Sequence, residues 1–164
     1  EYYVVDSFTT TPGAGNPAAV VLLPENTDDK SKETTTWMQT VAAEFNLSET
    51  AFCWPCRSKE ASSKEQEEQH WNIRYYTPTV EVPLCGHATL ASAAVLYQTL
   101  PDHKSQTVFH AREDQLIMEL AMDDDDDTPT PTPTSSNVTK ISMDFPLKPP
   151  RELTTPEEQS AVQS

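Results

Sequence analysis

The chain has 164 residues, a formal net charge of -15 and 36% hydrophobic residues. This length predicts one ordinary domain, and the polar residues are concentrated in a few stretches, so the rest of the chain can bury a core. An excess of acid repels phosphate backbones and anionic lipid surfaces, and the 11 Lys and Arg residues form no cluster. The composition therefore argues against nucleic-acid and membrane binding.

Apolar runs and cysteines place further bounds on the protein. The longest apolar run covers residues 90–97, far short of the roughly 20 residues that a membrane span needs. The three cysteines are odd in number and have apolar neighbours, which is typical of reduced thiols rather than of a secreted disulfide framework. The sequence predicts a cytoplasmic protein without a membrane span.

The amino-terminal third predicts a hairpin followed by a helix. Residues 2–8 and 18–23 have strand patterns, and the Gly- and Pro-rich residues 11–17 between them form an elaborate turn. Thr34–Thr36 can cap a helix that ends near Asn46. One apolar stripe at helical spacing runs along that helix through Trp37, Val41 and Phe45.

The middle of the chain predicts two more strands and an enclosed helix. Residues 48–54 and 71–77 have strand patterns, separated by a charged insertion over 58–69, and a turn then leads into 80–84. The helix expected over 87–100 has apolar residues all round rather than on one stripe. Such a helix is buried on every side, so we expect the strands to wrap around it.

The carboxyl-terminal third predicts a second hairpin and a low-complexity stretch. Residues 106–111 and 115–122 form the hairpin, and 138–145 reads as one more strand. Between them, an acidic run is followed by alternating Thr and Pro, which cannot bury enough surface to fold.

Two cysteine patterns permit redox or metal chemistry. Cys53 and Cys56 form a Cys-x-x-Cys, although no helix signal follows to activate the first thiol. Together with Cys85 and His87 they would supply four soft zinc ligands, but Cys-x-His is a poor second ligand pair. Two unpaired thiols at a strand end is the better interpretation of the first motif.

Glu49 and His87 are the candidates for acid/base chemistry. His87 lies in the first turn of the enclosed helix, where free N–H groups and the positive end of the helix dipole stabilise an anion. Glu49 stands where an amphipathic helix gives way to an apolar strand, a position suited to proton transfer. Taken alone, each also fits an ordinary structural role, as a hydrogen-bonded helix residue or an exposed glutamate.

Four segments in the same order resemble one protein family. They are "VDSFTTTPGAGNPAAVVLL", "WMQTVAAEFNLSETAF", "IRYYTPTVEVPLCGHATLASAAVL" and "ISMDFPLKPP". They are similar to the amino-terminal half of the phenazine-biosynthesis (PhzF-like) isomerases, which share the diaminopimelate epimerase fold. The resemblance covers nearly all of residues 2–122 and resumes over 138–150.

The resemblance implies an α+β fold in which a β-barrel-like sheet wraps around a central helix, as one of two pseudo-symmetric lobes. Residues 1–122 would be the first lobe, 123–137 an acidic Thr/Pro-rich loop, and 138–164 a strand and linker leading to a second lobe that is missing here. Family members are commonly homodimers and use no metal or organic cofactor. Their site lies between the lobes, so we expect half a site in this chain, inactive alone.

The resemblance also assigns roles to residues at the candidate site. Glu49 takes the position of the family's acid/base glutamate, which moves a proton across an allylic system of a small carboxylated substrate. His87 would assist it as the second catalytic residue. The substrate-binding set implied by the motifs is Asn16, Cys85, Gly86 and Ala88. Cys85 stands where the epimerase relatives carry a proton-transferring thiol, but His87 replaces the Asn that follows there. The alternatives are a Cys85-dependent epimerase and a non-catalytic scaffold or regulatory binding protein.

Overall fold

A computed structural model describes residues 1–56, 68–112, 114–120 and 141–144. These residues form eight strands and two helices. The elements in chain order are β1 (Tyr2–Ser7), β2 (Asn16–Leu22), α1 (Lys32–Phe45), β3 (Glu49–Pro55), β4 (Glu68–Tyr76), β5 (Glu81–Val82), α2 (Gly86–Thr99), β6 (Gln106–His110), β7 (Gln115–Leu120) and β8 (Ile141–Asp144).

All eight strands belong to one mixed sheet. Its order is β1-β2-β3-β4-β6-β7-β8, and the short β5 pairs with β4 alone. Helix α1 connects β2 to the parallel β3, and α2 connects β4 to the parallel β6. The other neighbouring strands are antiparallel, including the two predicted hairpins β1–β2 and β6–β7. Among the described residues, β1 and β8 are the two edges of the sheet.

Helix α2 is the centre of the molecule, as its apolar pattern predicts. Eight of its 14 residues are buried, and the six apolar ones among them belong to one core with the inward side chains of the sheet. The helix contacts strands from both ends of the sheet, β1 and β8 included. A helix with small residues such as Ala88, Ala91 and Ala93 lets the strands approach closely.

Helix α1 packs on the outer face of the sheet. Met38 and Ala42 are its buried residues, and they contact Phe52, Trp54 and Tyr76 of β3 and β4. The predicted stripe was wrong at Trp37, which is 46% exposed and touches Phe52 only edge-on, with ring centres 5.7 Å apart. The side of α1 that is buried against the sheet begins one residue later, at Met38, and continues at Ala42.

At the two ends of α1, the predicted N-cap is wrong and the predicted C-terminal end is confirmed. The side chain of Ser31, rather than that of Thr34, Thr35 or Thr36, accepts the N–H of Thr34 and caps α1. Asn46 ends the helix in the left-handed conformation, as expected of this residue type.

Several predicted boundaries shift. The fourth strand begins at Glu68, so the last two residues of the predicted charged insertion lie in β4. The strand expected over 138–145 is observed over Ile141–Asp144, where it pairs with β7 and extends the same sheet. The predicted low-complexity loop over 123–137 and the linker after residue 144 lie outside the described residues. Neither helix of the described part is long and apolar enough to cross a membrane.

Candidate active site

The first turn of α2 and the start of β3 meet at one end of the sheet. The parallel register places Ala18 of β2 opposite Glu49, the first residue of β3. Between these strands, the hydroxyl of Ser48 donates to the carbonyl oxygen of Pro17 at 3.2 Å. His87, the second residue of α2, reaches the same place from inside the sheet.

Glu49 and His87, which are distant in sequence, contact each other directly. Oε2 of Glu49 lies 3.3 Å from Nε2 of His87, and the two side chains are 20% and 10% exposed. Ser48 Oγ also lies 3.3 Å from the same ring nitrogen. A carboxylate and an imidazole are thus held together in a largely desolvated corner, where electrostatic interactions are stronger than in water.

Cys85 completes the cluster on the other side of the imidazole. Its Sγ lies 3.2 Å from Nδ1 of His87. Burial raises the pKa of the Cys85 thiol to about 11. The backbone amides of Ala88 and His87 lower this pKa, and the nearby carboxylate of Glu49 raises it further. Cys85 is therefore a neutral thiol at physiological pH and a poor proton acceptor.

The protonated thiol can serve as a donor to the imidazole. When Cys85 donates its S–H to Nδ1, the proton of neutral His87 resides on Nε2 and points at Glu49. The carboxylate then accepts from His87 through one oxygen and keeps the other for a substrate. The cluster is a hydrogen-bonded chain from Cys85 through His87 to Glu49.

Ser7, which the sequence analysis missed, ties β1 to this helix turn. Its buried hydroxyl donates to the carbonyl oxygen of His87 at 2.7 Å. The loop that follows is held by Asp6, whose carboxylate accepts the N–H of Gly13 at 2.6 Å. A serine at the end of an apolar strand gives no periodicity signal, and only its position before the Gly-rich turn sets it apart.

The predicted substrate-binding residues lie around this cluster. Gly86 is the first residue of α2, and Asn16, which is exposed, begins β2 opposite Ser7. The side chain of Ala88 is fully buried, so this residue presents only its backbone to the site. The structure thus brings Glu49, Cys85 and His87 into contact and places Asn16 and Gly86 at the same end of the sheet.

The donor atoms of Glu49, Cys85 and His87 lie within 4.8 Å of one another, the spacing of a candidate metal site. The helix argues for an anion instead. Cys85 is the N-cap of α2 and makes no side-chain capping bond, so only weak interactions with the Cys85 sulfur compete for the N–H groups of His87 and Ala88. These groups and the positive end of the dipole favour negative charge.

The positions of Cys53 and Cys56 argue against the alternative zinc and redox sites. Cys53 points into the core beside α2, and burial raises the pKa of its thiol to about 12. Cys56 lies one residue beyond β3, where its N–H donates to the carbonyl oxygen of His70. Cys53 and Cys56 are both free thiols, and the candidate metal-ligand cluster of the described residues contains neither of them.

A cavity of about 480 Å³ lies away from this cluster, between α1 and the outer face of β4. Its walls include Arg74 and Arg112, but both guanidinium groups already contact the carboxylate of Glu81, at 2.6 and 3.1 Å. Arg74 also lies 3.7 Å from the carboxylate of Asp29. Because its cations are paired with carboxylates and it holds none of the candidate catalytic groups, the cavity is not our candidate active site.

Comparison with known proteins identifies the relatives of this arrangement. The profile of the phenazine biosynthesis-like proteins, PhzC-PhzF, matches residues 5–163. The chain belongs to this family. Its relatives include an uncharacterized isomerase from Halalkalibacterium halodurans, 48% identical over 103 residues, and the human phenazine biosynthesis-like domain-containing protein, 39% identical over 121 residues. These matches cover 63% and 74% of the chain but 32% and 39% of the relatives, so the chain spans a minor part of their length.

Solved structures give the same family and confirm the predicted fold. A PhzF-family protein from Enterococcus faecalis matches with a TM-score of 0.57 and 37% identity, over 72% of this chain and 39% of that one. A predicted epimerase from Pseudomonas aeruginosa matches with a TM-score of 0.54 at 22% identity, over 71% and 36% of the two chains, and shows the fold alone. The mixed sheet around α2 is the α+β, diaminopimelate epimerase-like fold of the PhzF family.

Proposed function

We propose that this chain supplies the Glu49 half of a cofactor-independent isomerase that moves a proton on a small carboxylated substrate. The contact between Glu49 and His87 at the start of α2 carries the proposal. It joins a proton acceptor to a proton donor beside N–H groups that favour negative charge. Relatives of the chain are named isomerases, in agreement with this chemistry.

The free oxygen of Glu49 takes a proton from a substrate carbon, and the electron pair of that C–H bond moves into the adjoining unsaturated system. The negative charge that develops there is stabilised by the first-turn amides of α2, while Nε2–H of His87 stays on the other oxygen of Glu49 and holds that side chain in place. Glu49 then returns the proton to another carbon, so the double bond shifts while atoms and charge are conserved. The neutral Cys85 keeps the proton of His87 on Nε2 and does not itself transfer one.

The predicted second lobe would supply the other wall of the cleft and the group that binds the substrate carboxylate. The activity therefore belongs to a protein that contains both lobes, and a homodimer in the cytoplasm remains the expected context. We expect the 164 residues alone to show no turnover.

Solvent deuterium entry tests the proposal. Small unsaturated carboxylates are incubated in D2O with the two-lobed protein, and carbon-bound deuterium is followed by NMR. Glu49→Gln should reduce exchange by about a thousandfold or more, because it removes the base but keeps the side-chain shape. Glu44→Gln, an exposed glutamate of α1, is the matched control and should exchange at the wild-type rate.

Substitutions of Cys85 separate the glutamate mechanism from a thiol mechanism. Cys85→Ser keeps a hydrogen-bond donor to His87 and should retain most exchange, whereas Cys85→Ala should lose part of it. Exchange that survives in Glu49→Gln but disappears in Cys85→Ser would replace the proposal by a Cys-dependent epimerase. Absence of exchange with every substrate, together with an unchanged cellular phenotype in Glu49→Gln, would favour a non-catalytic scaffold.

A further inference from the structure

We infer that His70 and His110 form a binding site for a divalent transition-metal ion, separate from the proposed catalytic cluster. His70 lies on β4 and His110 on the neighbouring parallel strand β6, where it pairs with Asn72. Their side chains point to the outer face of the sheet, because the alternating residues Trp71 and Phe109 point into the core. Glu49, Cys85 and His87 cluster instead around the start of the enclosed helix.

The two imidazoles face each other through one nitrogen each. Nδ1 of His70 lies 3.0 Å from Nε2 of His110. The ring centres are 5.3 Å apart and the planes differ by 29°, so the rings are stacked. Two ligands on a tetrahedral ion at about 2.0–2.1 Å are roughly 3.3 Å apart. To hold an ion, the two nitrogens must therefore separate slightly, and both rings must turn from the stacked arrangement until their lone pairs point at the ion.

The nitrogens that face away from this gap have polar neighbours. Nε2 of His70 is buried without a hydrogen bond in the described residues, 3.4 Å from Oε2 of Glu68. Nδ1 of His110 lies 3.1 Å from the side-chain amide of Gln115. Metal-bound histidines commonly donate their second N–H to a carboxylate or another oxygen acceptor, which orients the ring. Glu68 is placed to accept the proton of His70. Gln115 presents Nε2 to His110, so its amide must turn over and present the oxygen before it accepts the proton of His110.

A metal ion can replace the hydrogen bond between the His70 and His110 rings if the proton of that bond moves away from the gap. Without metal, one imidazole donates its N–H to the other across the gap. When an ion binds, His70 carries its proton on Nε2, beside Glu68, and both facing nitrogens coordinate through lone pairs. Waters fill the remaining positions, since the side chain of His70 is 25% exposed. Imidazole ligands suit Zn²⁺, Ni²⁺ and Cu²⁺, and the chain's charge of -15 attracts cations.

Titration of the 164-residue chain with Ni²⁺ tests this inference. Calorimetry at pH 7.5 should show one site, weakened at least about tenfold in His70→Gln and in His110→Gln. His103→Gln removes one of the other two histidines and should bind like the wild type. Glu68→Gln should weaken binding about tenfold while both ligands remain. Affinity should fall as the pH is lowered, because protons compete with the ion for the imidazole nitrogens.

A measurement on the wild type covers the case in which a variant does not fold. Substoichiometric Ni²⁺ should broaden the NMR signals of the His70 and His110 rings before those of His87 and His103. Equal affinity in wild type and both pair variants would overturn the inference. So would broadening that begins at His87, because the ion would then occupy the cluster with Glu49 and Cys85.

Discussion

Gly15 has no room for a side chain. A Cβ at this position would overlap the carbonyl oxygen of Ser7 and come within 2.6 Å of Cγ2 of Thr9. The first of these neighbours is backbone and cannot turn away. Gly13, two residues earlier, has a positive φ of 78°, but a Cβ there would meet nothing within 4 Å.

Two alanine substitutions therefore differ in a predictable way. Gly13→Ala should cost roughly 1–2 kcal/mol of unfolding free energy, because its backbone conformation disfavours a Cβ. Gly15→Ala should cost more, since its Cβ would overlap backbone and displace the end of β1, and urea unfolding measures both. Ser7 bonds the carbonyl of His87, so Gly15→Ala should also shift the His87 ring signals. Equal free energies for the two variants would show that the loop moves freely away from Ser7.

At the scale of elements, the N-terminal cap of α1 provides a clean comparison. Ser31 accepts the N–H of Thr34 at 3.3 Å and donates to the carboxylate of Glu33 at 2.9 Å. Ser31→Ala should lower the unfolding free energy by about 1 kcal/mol, because it leaves a helix N–H without its acceptor. Thr36→Ala, at an exposed position inside the same helix, should be neutral or slightly stabilising. An unaffected Ser31→Ala melting curve would contradict the cap assignment.

The elements also show how far sequence reasoning reaches. Asn46 and the all-round apolar pattern of α2 predicted both helix position and burial, because these signals are local. Ser31 was missed as a cap since Thr34, Thr35 and Thr36 offer equally good chemistry nearby. The catalytic candidates Glu49 and His87 followed from motifs.

Contacts that depend on which strands are neighbours could not be predicted from the sequence. His70 and His110 are 40 residues apart and meet at 3.0 Å because β4 and β6 are neighbours, with α2 and β5 between them in the chain. Ser7 reaches the carbonyl of His87 across 80 residues for the same kind of reason. No periodicity in a single sequence encodes which strands become neighbours.

At the scale of the whole molecule, charge opposes folding. The chain has a net charge of -15, and its acidic side chains repel one another more strongly in the compact state than in the unfolded chain. Raising NaCl from about 0.02 to 0.5 M shortens the Debye length severalfold, so the melting temperature should rise. Replacing Asp123 to Asp127 by Asn removes five of these charges and should reduce that rise. A melting temperature that falls with salt would show that ion pairs such as Arg74 with Glu81 outweigh the repulsion.

During synthesis, the enclosed helix α2 emerges before the strands that complete its surroundings. Strands β1 to β4 precede α2 in the chain, while β6, β7 and β8, which complete its surroundings, follow it. At ~5–20 residues per second, the roughly 45 residues from the end of α2 to the end of β8 take a few seconds to translate. During that time the ribosome carries a lobe whose most apolar helix is covered on one side only. A nascent chain stalled just before β6 is thus a natural client for chaperones that bind exposed apolar helices.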